Sequence, residues 1–178
     1  MLAIILIHSR KDYLRVFMGI EIERKFLLKN DEWKAHVTET HVIKQGYLQS
    51  GLDNTQKSSV RIRISNKLAN INVKSAELSA IRQEYEYAIP LHDAEQMLTT
   101  LCGGLVVEKT RFYVPYGSHL WEVDVFSGEN TGLEMAEVEL NSLEEHFEKP
   151  AWLGEEVTRD GRYYNNSLIK TPYCKWCK

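Results

Sequence analysis

Two glutamates and a lysine stand two residues apart in Glu21-Ile22-Glu23-Arg24-Lys25. In an extended strand, residues i, i+2 and i+4 project to one face, so both carboxylates and the ammonium share a side. Hard carboxylate oxygens suit a divalent cation, and an ammonium suits a phosphate. The pattern recurs along the chain. Arg61 and Arg63 share a face, as do Glu84 and Glu86, Lys109 and Arg111, Glu122 and Asp124, and Glu137 and Glu139, while Lys74 adds a lone base. The intervening positions are mostly apolar: Val60, Ile62 and Ile64 flank the arginines, Trp121, Val123 and Val125 alternate with Glu122 and Asp124, and Ala136, Val138 and Leu140 alternate with the last pair.

One face of the implied sheet is therefore charged and the other greasy. An antiparallel sheet can simply wet its charged face, where ion pairs contribute only ~0–1 kcal/mol each. Two features favour an enclosed face instead. The charges come as same-sign doublets, and crowded like charges cost energy unless something binds between them. The greasy face also has candidate helices to cover it. If the sheet closes, the charged face becomes a lumen holding six bases (Lys25, Arg61, Arg63, Lys74, Lys109, Arg111) and eight acids (Glu21, Glu23, Glu84, Glu86, Glu122, Asp124, Glu137, Glu139). Such a lumen calls for an anion and for cations. A polyphosphate with Mg²⁺ or Mn²⁺ meets both demands: arginine forks and lysines take phosphate oxygens, and carboxylates take the metal. No Walker-type glycine-rich loop is present, so phosphate binding would rest on side chains.

The elements that must position these residues are mostly strands. Eight segments stand out, near 20–28, 41–49, 59–65, 70–75, 81–89, 105–115, 119–126 and 133–141. Turns are expected at Asn66-Lys67 and at Pro115-Tyr116-Gly117-Ser118, and such short spacing implies antiparallel neighbours. Residues 92–101 place Ala94, Met97, Leu98 and Leu101 on one helical face, stopped by Gly103-Gly104. Ser142-Leu143-Glu144-Glu145 has the spacing of a capping box and predicts a short helix. Residues 31–36 and 163–170 are further helical candidates. Many strands with few helices imply a mainly β (α+β) fold, an antiparallel sheet or barrel with helices packed outside.

The chain has 178 residues, enough for one domain with a sizeable core. Its 22 basic and 25 acidic residues give a formal net charge of −3, which does not suit a nucleic-acid binder. Leu2-Ala3-Ile4-Ile5-Leu6-Ile7 is apolar but far short of the ~20 residues that span a membrane, and no basic residue precedes it as in a signal segment. Residues 1–17 read as an N-terminal extension outside the fold, or as an over-long start with Met18 the true beginning. The expected setting is cytoplasmic, with neither membrane nor nucleic acid as partner. Three cysteines make no disulfide framework. Cys102 reads as core; Cys174 and Cys177 could supply two zinc ligands, but no matching second pair is present, so residues 171–178 read as a reduced tail.

Met18-Gly19-Ile20-Glu21-Ile22-Glu23-Arg24-Lys25-Phe26-Leu27 resembles the N-terminal ExExK motif of the CYTH family, the triphosphate tunnel metalloenzymes. The likeness continues in order through Gln45-Gly46-Tyr47-Leu48, Val60-Arg61-Ile62-Arg63, Val73-Lys74-Ser75, Arg82-Gln83-Glu84-Tyr85-Glu86, Val107-Glu108-Lys109-Thr110-Arg111, Glu122-Val123-Asp124-Val125-Phe126, Ala136-Glu137-Val138-Glu139 and Gly154-Glu155-Glu156-Val157-Thr158. It covers residues 18–170, the expected CYTH domain, and is strongest to short, single-domain bacterial members. The ordered set is specific where ExExK alone is not.

The resemblance implies an eight-stranded antiparallel β-barrel tunnel and a metal-dependent triphosphatase, with inorganic tripolyphosphate the favoured substrate and two Mg²⁺ or Mn²⁺ ions. It implies substrate binding by Lys25, Arg61, Arg63, Lys74, Lys109 and Arg111, and metal binding by Glu21, Glu23, Asp124, Glu137 and Glu139, with Glu122 close by; Glu84 and Glu86 match acids of the opposite wall. Water would attack a terminal phosphorus, with Lys25, Glu23 and Tyr47 as catalytic candidates. Tyr47 either relays a proton, which a phenol does near neutrality only beside a cation, or packs at the tunnel mouth. Related chains carry a further base near Asp160-Gly161-Arg162-Tyr163, for which Arg162 and Arg159 are the candidates. Alternatives are a class IV-type adenylate cyclase, a thiamine or nucleoside triphosphatase, and a non-catalytic polyphosphate-binding module. The partner is a small-molecule triphosphate, and the protein a monomer or homodimer.

Overall fold

The computed structural model describes the backbone of residues 18–50, 57–75, 81–103 and 106–176, with side chains except those of residues 18–21 and 81–82. Among the described residues, nine strands form one antiparallel sheet: β1 (Met18–Leu28), β2 (Glu39–Gln49), β3 (Ser58–Ser65), β4 (Leu68–Ser75), β5 (Ile81–Ala88), β6 (Val106–Tyr116), β7 (His119–Phe126), β8 (Glu134–Leu140) and β9 (Leu153–Glu156). The order is β5-β4-β3-β2-β6-β7-β8-β1-β9, and β1 also pairs with β5. The β1–β5 ladder is short, from Met18 opposite Tyr85 to Ile22 opposite Ile81; beyond it, β9 takes the same edge of β1. The eight segments expected from the sequence are β1 to β8. β9, only four residues long, carries no alternation that would have marked it.

Two turns follow the local chemistry. Asn66 has φ 54°, a left-handed conformation that Asn tolerates, and its side-chain oxygen accepts from the Val42 amide at 2.9 Å. Gly117 has φ 58° in the two-residue link between β6 and β7. Pro115 and Tyr116 remain in β6, opposite Leu120 and His119, so this turn is tighter than its sequence implied.

The greasy outer face is buried in two places. On β1, β6, β7 and β8, Phe26, Val114, Trp121, Val123, Ala136 and Val138 pack with Trp33 and Trp152 from the connecting segments. Trp33 belongs to a single 3-10 turn over Glu32–His36. On β3 and β4, Ile62 and Ala69 pack under the helix α1 (Leu91–Thr100) with Ala94 and Leu98. Each valine, leucine, isoleucine or phenylalanine among them contributes ~1.5–3 kcal/mol when fully buried. Leu101, expected on that face, is exposed, and Cys102 is buried in its place, because the helix has ended and the chain turns. Cys102 lies so close to β2 that a Cβ on Gly46 would sit 2.9 Å from its own.

Two helical expectations change. Ser142–Glu145 forms a turn rather than a helix; the Glu145 carboxylate accepts from the Asn141 amide and meets His119 at 3.1 Å, so it is drawn to the β7 end instead of capping a helix. The C-terminal helix α2 (Asn165–Lys170) does not lie outside the sheet. Its Leu168 and Ile169 pack with Leu27, Val107, Phe126 and Met135, which alternation puts on the same face as the charged doublets. Apolar residues on that face need cover, and α2 supplies it. Tyr173 and Trp176 join the same cluster. No described helix is long and apolar enough to cross a membrane.

Candidate functional site

Register brings the charged doublets together. Tyr47 on β2 lies opposite Arg61 on β3, Arg61 opposite Asn72 on β4, and Asn72 opposite Glu86 on β5. In the neighbouring row Lys74 lies opposite Glu84. Around the other side, Arg111 on β6 faces Asp124 on β7, Glu122 faces Glu137 on β8, and Glu137 and Glu139 face Lys25 and Glu23 on β1. All of these except Asn72 and Asp124 border a cavity of about 160 Å³.

Glu23, Lys25, Tyr47, Arg61, Arg63, Lys74, Glu84, Glu86, Arg111, Glu122, Glu137 and Glu139 all line it. The backbone of Glu21 is in β1, but its side chain lies outside the described residues, as does Cys177. Lys109 and Asp124 do not line the cavity. They form a fully buried ion pair, and Asp124 also accepts two bonds from Arg111 at 2.7 Å. Arg162 is not brought to the cavity: it is mostly exposed and binds Asp160 at 2.6 Å, because the turn at Gly161–Tyr163 directs it back onto its own loop. Arg159 is exposed and Cys174 is exposed. Arg24 points outward to Glu156, making two bonds of 2.6 Å.

The C-terminal segment supplies wall residues that alternation could not mark. Tyr164, Asn165 and Asn166 line the cavity. Tyr164 hydrogen-bonds the Thr158 carbonyl at 2.8 Å and lies under the Lys25 ammonium, 5.4 Å from its ring centre. Asn166 donates to the Ser50 carbonyl at 2.9 Å, tying α2 to the end of β2. Ser59 also lines the cavity; standing two residues before Arg61, it was within reach of the strand period. A neighbouring cavity of about 250 Å³ shares Tyr47 and Asn166 and adds Leu48, Cys102, Ile169 and Lys170.

The charges interlock. Lys25 bonds Glu137 and lies 3.0 Å from Glu23. Arg111 reaches Asp124, Glu122 and, at 2.8 Å, Glu137. Burial alone would raise the Glu137 carboxyl; Lys25, Arg111 and Lys109 outweigh it and hold it well below the ordinary carboxylate range. For Asp124 burial likewise pulls upward, and Arg111 and Lys109 prevail and lower it. Burial pushes the Lys109 ammonium down to about 8 despite Asp124. Burial would also lower Arg111, yet Asp124 and Glu122 hold it above its ordinary value. Arg63 differs. Among the described residues it meets no carboxylate at ion-pairing distance; it donates instead to the neutral Gln45 oxygen at 3.2 Å. Burial, then Arg61 and Arg111, push its guanidinium down to about 10.

The fit to a metal can be judged from register. Glu122 stands directly opposite Glu137, and Glu23 opposite Glu139. Like charges paired across strands are destabilising, and a divalent cation between hard oxygens removes that cost. The donor set on β7, β8 and β1 fits Mg²⁺ or Mn²⁺. In the present arrangement the described acids are drawn to bases, and no three of them gather as a ligand group.

The model of the CYTH domain matches residues 19–173. The chain belongs to the CYTH family. An inorganic triphosphatase of Acetivibrio thermocellus is 42% identical over 156 residues, covering 88% of this CYTH chain and 97% of the relative. An inorganic triphosphatase of Nitrosomonas europaea is 39% identical over 153 residues, covering 83% and 95%. The crystal structure of an inorganic triphosphatase matches with a TM-score of 0.59 at 36% identity, covering 84% of this chain and 93% of that one. The ordered charged motifs and the mainly antiparallel fold thus have the family expected of them.

Proposed function

We propose that this CYTH protein hydrolyses inorganic triphosphate with Mg²⁺ or Mn²⁺, releasing orthophosphate. Arg63 carries the reading: a guanidinium in the cavity wall that has no acid partner among the described residues asks for an anion, and the wall across from it offers carboxylates in facing pairs. The triphosphatase names of relatives matched over nearly their whole length support the substrate. The cavity also suits a small inorganic anion, since about 160 Å³ is below the ~300–1,000 Å³ of sites that enclose drug-sized ligands.

Arg61, Arg63 and Lys74 would hold phosphoryl oxygens from one side, with Lys25 and Arg111 from the other. Their charge is fixed before the reaction, so it stabilises the charge developing on the transferred group without reorganisation. Lys109, buried behind the wall, would hold Asp124 in place. Glu23, Glu122, Glu137 and Glu139, with Asp124 and, by alternation, Glu21, would hold two metal ions. When bound, divalent ions neutralise phosphate charge and lower the pKa of water. Tyr47, beside Arg61 in register, is placed to relay a proton or to pack at the mouth.

The neighbouring cavity of about 250 Å³, apolar through Leu48, Cys102 and Ile169, favours a second reading in which an organic triphosphate places its organic part there. One assay panel separates the readings: tripolyphosphate, ATP and thiamine triphosphate, each with Mg²⁺, Mn²⁺ or EDTA. Phosphate release from tripolyphosphate, abolished by EDTA, is expected. Release only from ATP or thiamine triphosphate would move the assignment to the organic substrates, and cyclic AMP from ATP to a cyclase. Binding without any turnover would leave a polyphosphate-binding module.

A further inference from the structure

We infer that Asn72 is a positioning residue that keeps Arg61 available to phosphate; this rests on the triphosphatase reading of the cavity. Asn72 has no exposed surface. It stands on β4 directly between Arg61 on β3 and Glu86 on β5. Its carboxamide is engaged on three sides. Oδ1 accepts from Arg61 Nη2 at 2.9 Å, and Nδ2 donates to Glu84 Oε1 at 2.6 Å and Glu86 Oε2 at 2.5 Å. Guanidinium only donates and carboxylates only accept, so a single orientation of the amide satisfies all three neighbours.

The consequence is electrostatic. A neutral group separates one cation from two anions. Glu84 Oε1 already lies 3.8 Å from Arg61 Nη2, while Lys74 holds its other oxygen at 3.2 Å. Removing the amide frees both acids to capture Arg61 in a charge-assisted pair, the strong kind of hydrogen bond. With the amide present, Arg61 is held in place by a neutral acceptor and keeps its charge for a ligand. Among the described residues Arg61 Nε is buried without a hydrogen-bond partner, a donor left over for an anion. Arg61 and Glu84 line the cavity and Asn72 does not, so Asn72 acts through Arg61.

The test is tripolyphosphate binding by calorimetry in EDTA, alongside steady-state kinetics with Mg²⁺, for wild type, Asn72→Ala, Asn72→Asp and Asn72→Ala combined with Glu84→Gln. Asn72→Ala should raise Kd and KM about ten-fold, the scale of one hydrogen bond to a charged group, with kcat changing about three-fold or less. The isosteric Asn72→Asp should raise both further, since its carboxylate neutralises Arg61 directly. Adding Glu84→Gln to Asn72→Ala should bring Kd back toward wild type, because the competing charge is gone. Asn72→Ser, whose shorter hydroxyl has one donor and cannot bridge Arg61 and both acids, is measured in its place if the alanine variant does not fold. Kd within two-fold of wild type in Asn72→Ala and Asn72→Asp, or no recovery in the double variant, would overturn the inference. A wild type that neither binds nor hydrolyses tripolyphosphate would instead overturn the reading of the cavity.

Discussion

On the β7–β8–β1 wall, acids face acids across strands, Glu122 against Glu137 and Glu23 against Glu139, and Lys25 and Arg111 reach in to neutralise them. On the β3–β4 wall, bases predominate, and their neighbours are largely neutral: Gln45 for Arg63, Asn72 for Arg61. The first wall is an ion-pair lattice in which each charge depends on others. The second holds its two arginines chiefly through amides, with Glu84 shared between Lys74 and, more distantly, Arg61. A wall of the first kind is costly to cut and suits metal; a wall of the second kind is open to phosphate. Losing a member should therefore harm the two walls differently.

The largest effect is expected from Glu137→Ala. It would leave Lys25 and Arg111 buried without a shared partner, and breaking such a pair typically costs ~3–5 kcal/mol. Urea unfolding should show that loss, and turnover should vanish with it. A variant as stable as wild type would remove the lattice description. Glu23→Ala should cost less stability than Glu137→Ala, because Lys25 keeps Glu137, yet lower kcat on tripolyphosphate by about 100-fold or more if the wall holds metal. Full activity there would mean the metal assignment is wrong.

Arg63→Ala probes the other wall. KM for tripolyphosphate should rise about ten- to a hundred-fold, as a lost charge-assisted bond implies. Its melting temperature should hold or rise, because the arginine has no acid partner to abandon. A marked fall in melting temperature with unchanged KM would make Arg63 structural and erase the contrast.

The pH dependence of stability sharpens the same comparison. The folded carboxyls of Glu137 and Asp124 lie below their ordinary values, so the unfolded chain binds protons first on acidification. Their stabilisation is present above the unfolded carboxylate range, about pH 4, and is lost as pH falls toward the depressed folded values. Lys109 moves stability in the same direction, upward with pH, but over a higher window and by easing a cost rather than gaining a stabilisation. Its folded value of about 8 is below the ~10.4 of an unfolded lysine, so its burial cost is relieved as pH rises through that window. Urea unfolding of wild type and Lys109→Met between pH 7 and 10 should converge toward high pH; parallel curves would refute it. The smallest effect belongs to the outer face. Arg24→Ala should cost about 1 kcal/mol or less, given that the Arg24–Glu156 pair lies partly exposed on the outer face, and leave KM unchanged.

Strand period two alone separated Arg24 from Glu23 and Lys25, placed each charged doublet on a common face, and picked out β1 to β8. It did so because side chains alternate in any strand whatever its partners. The same rule could have added Ser59 and Asn72, each two residues from a chosen base; as neutral residues they were not conspicuous. Register was beyond it. Which acid faces which acid, the sinking of Lys109 and Asp124 behind the wall, and the Asn72 bridge all depend on how strands pair, and pairing is set by the whole sheet. Arg162 shows the limit most plainly: its type and neighbourhood suited the site, but a local turn with Asp160 turned it away. Tyr164, Asn165 and Asn166 reach the cavity only because Leu168 and Ile169 bury themselves against the apolar residues at one end of the charged face. That packing joins the C-terminal helix to residues as distant in sequence as Leu27, and no local pattern in the sequence encodes it.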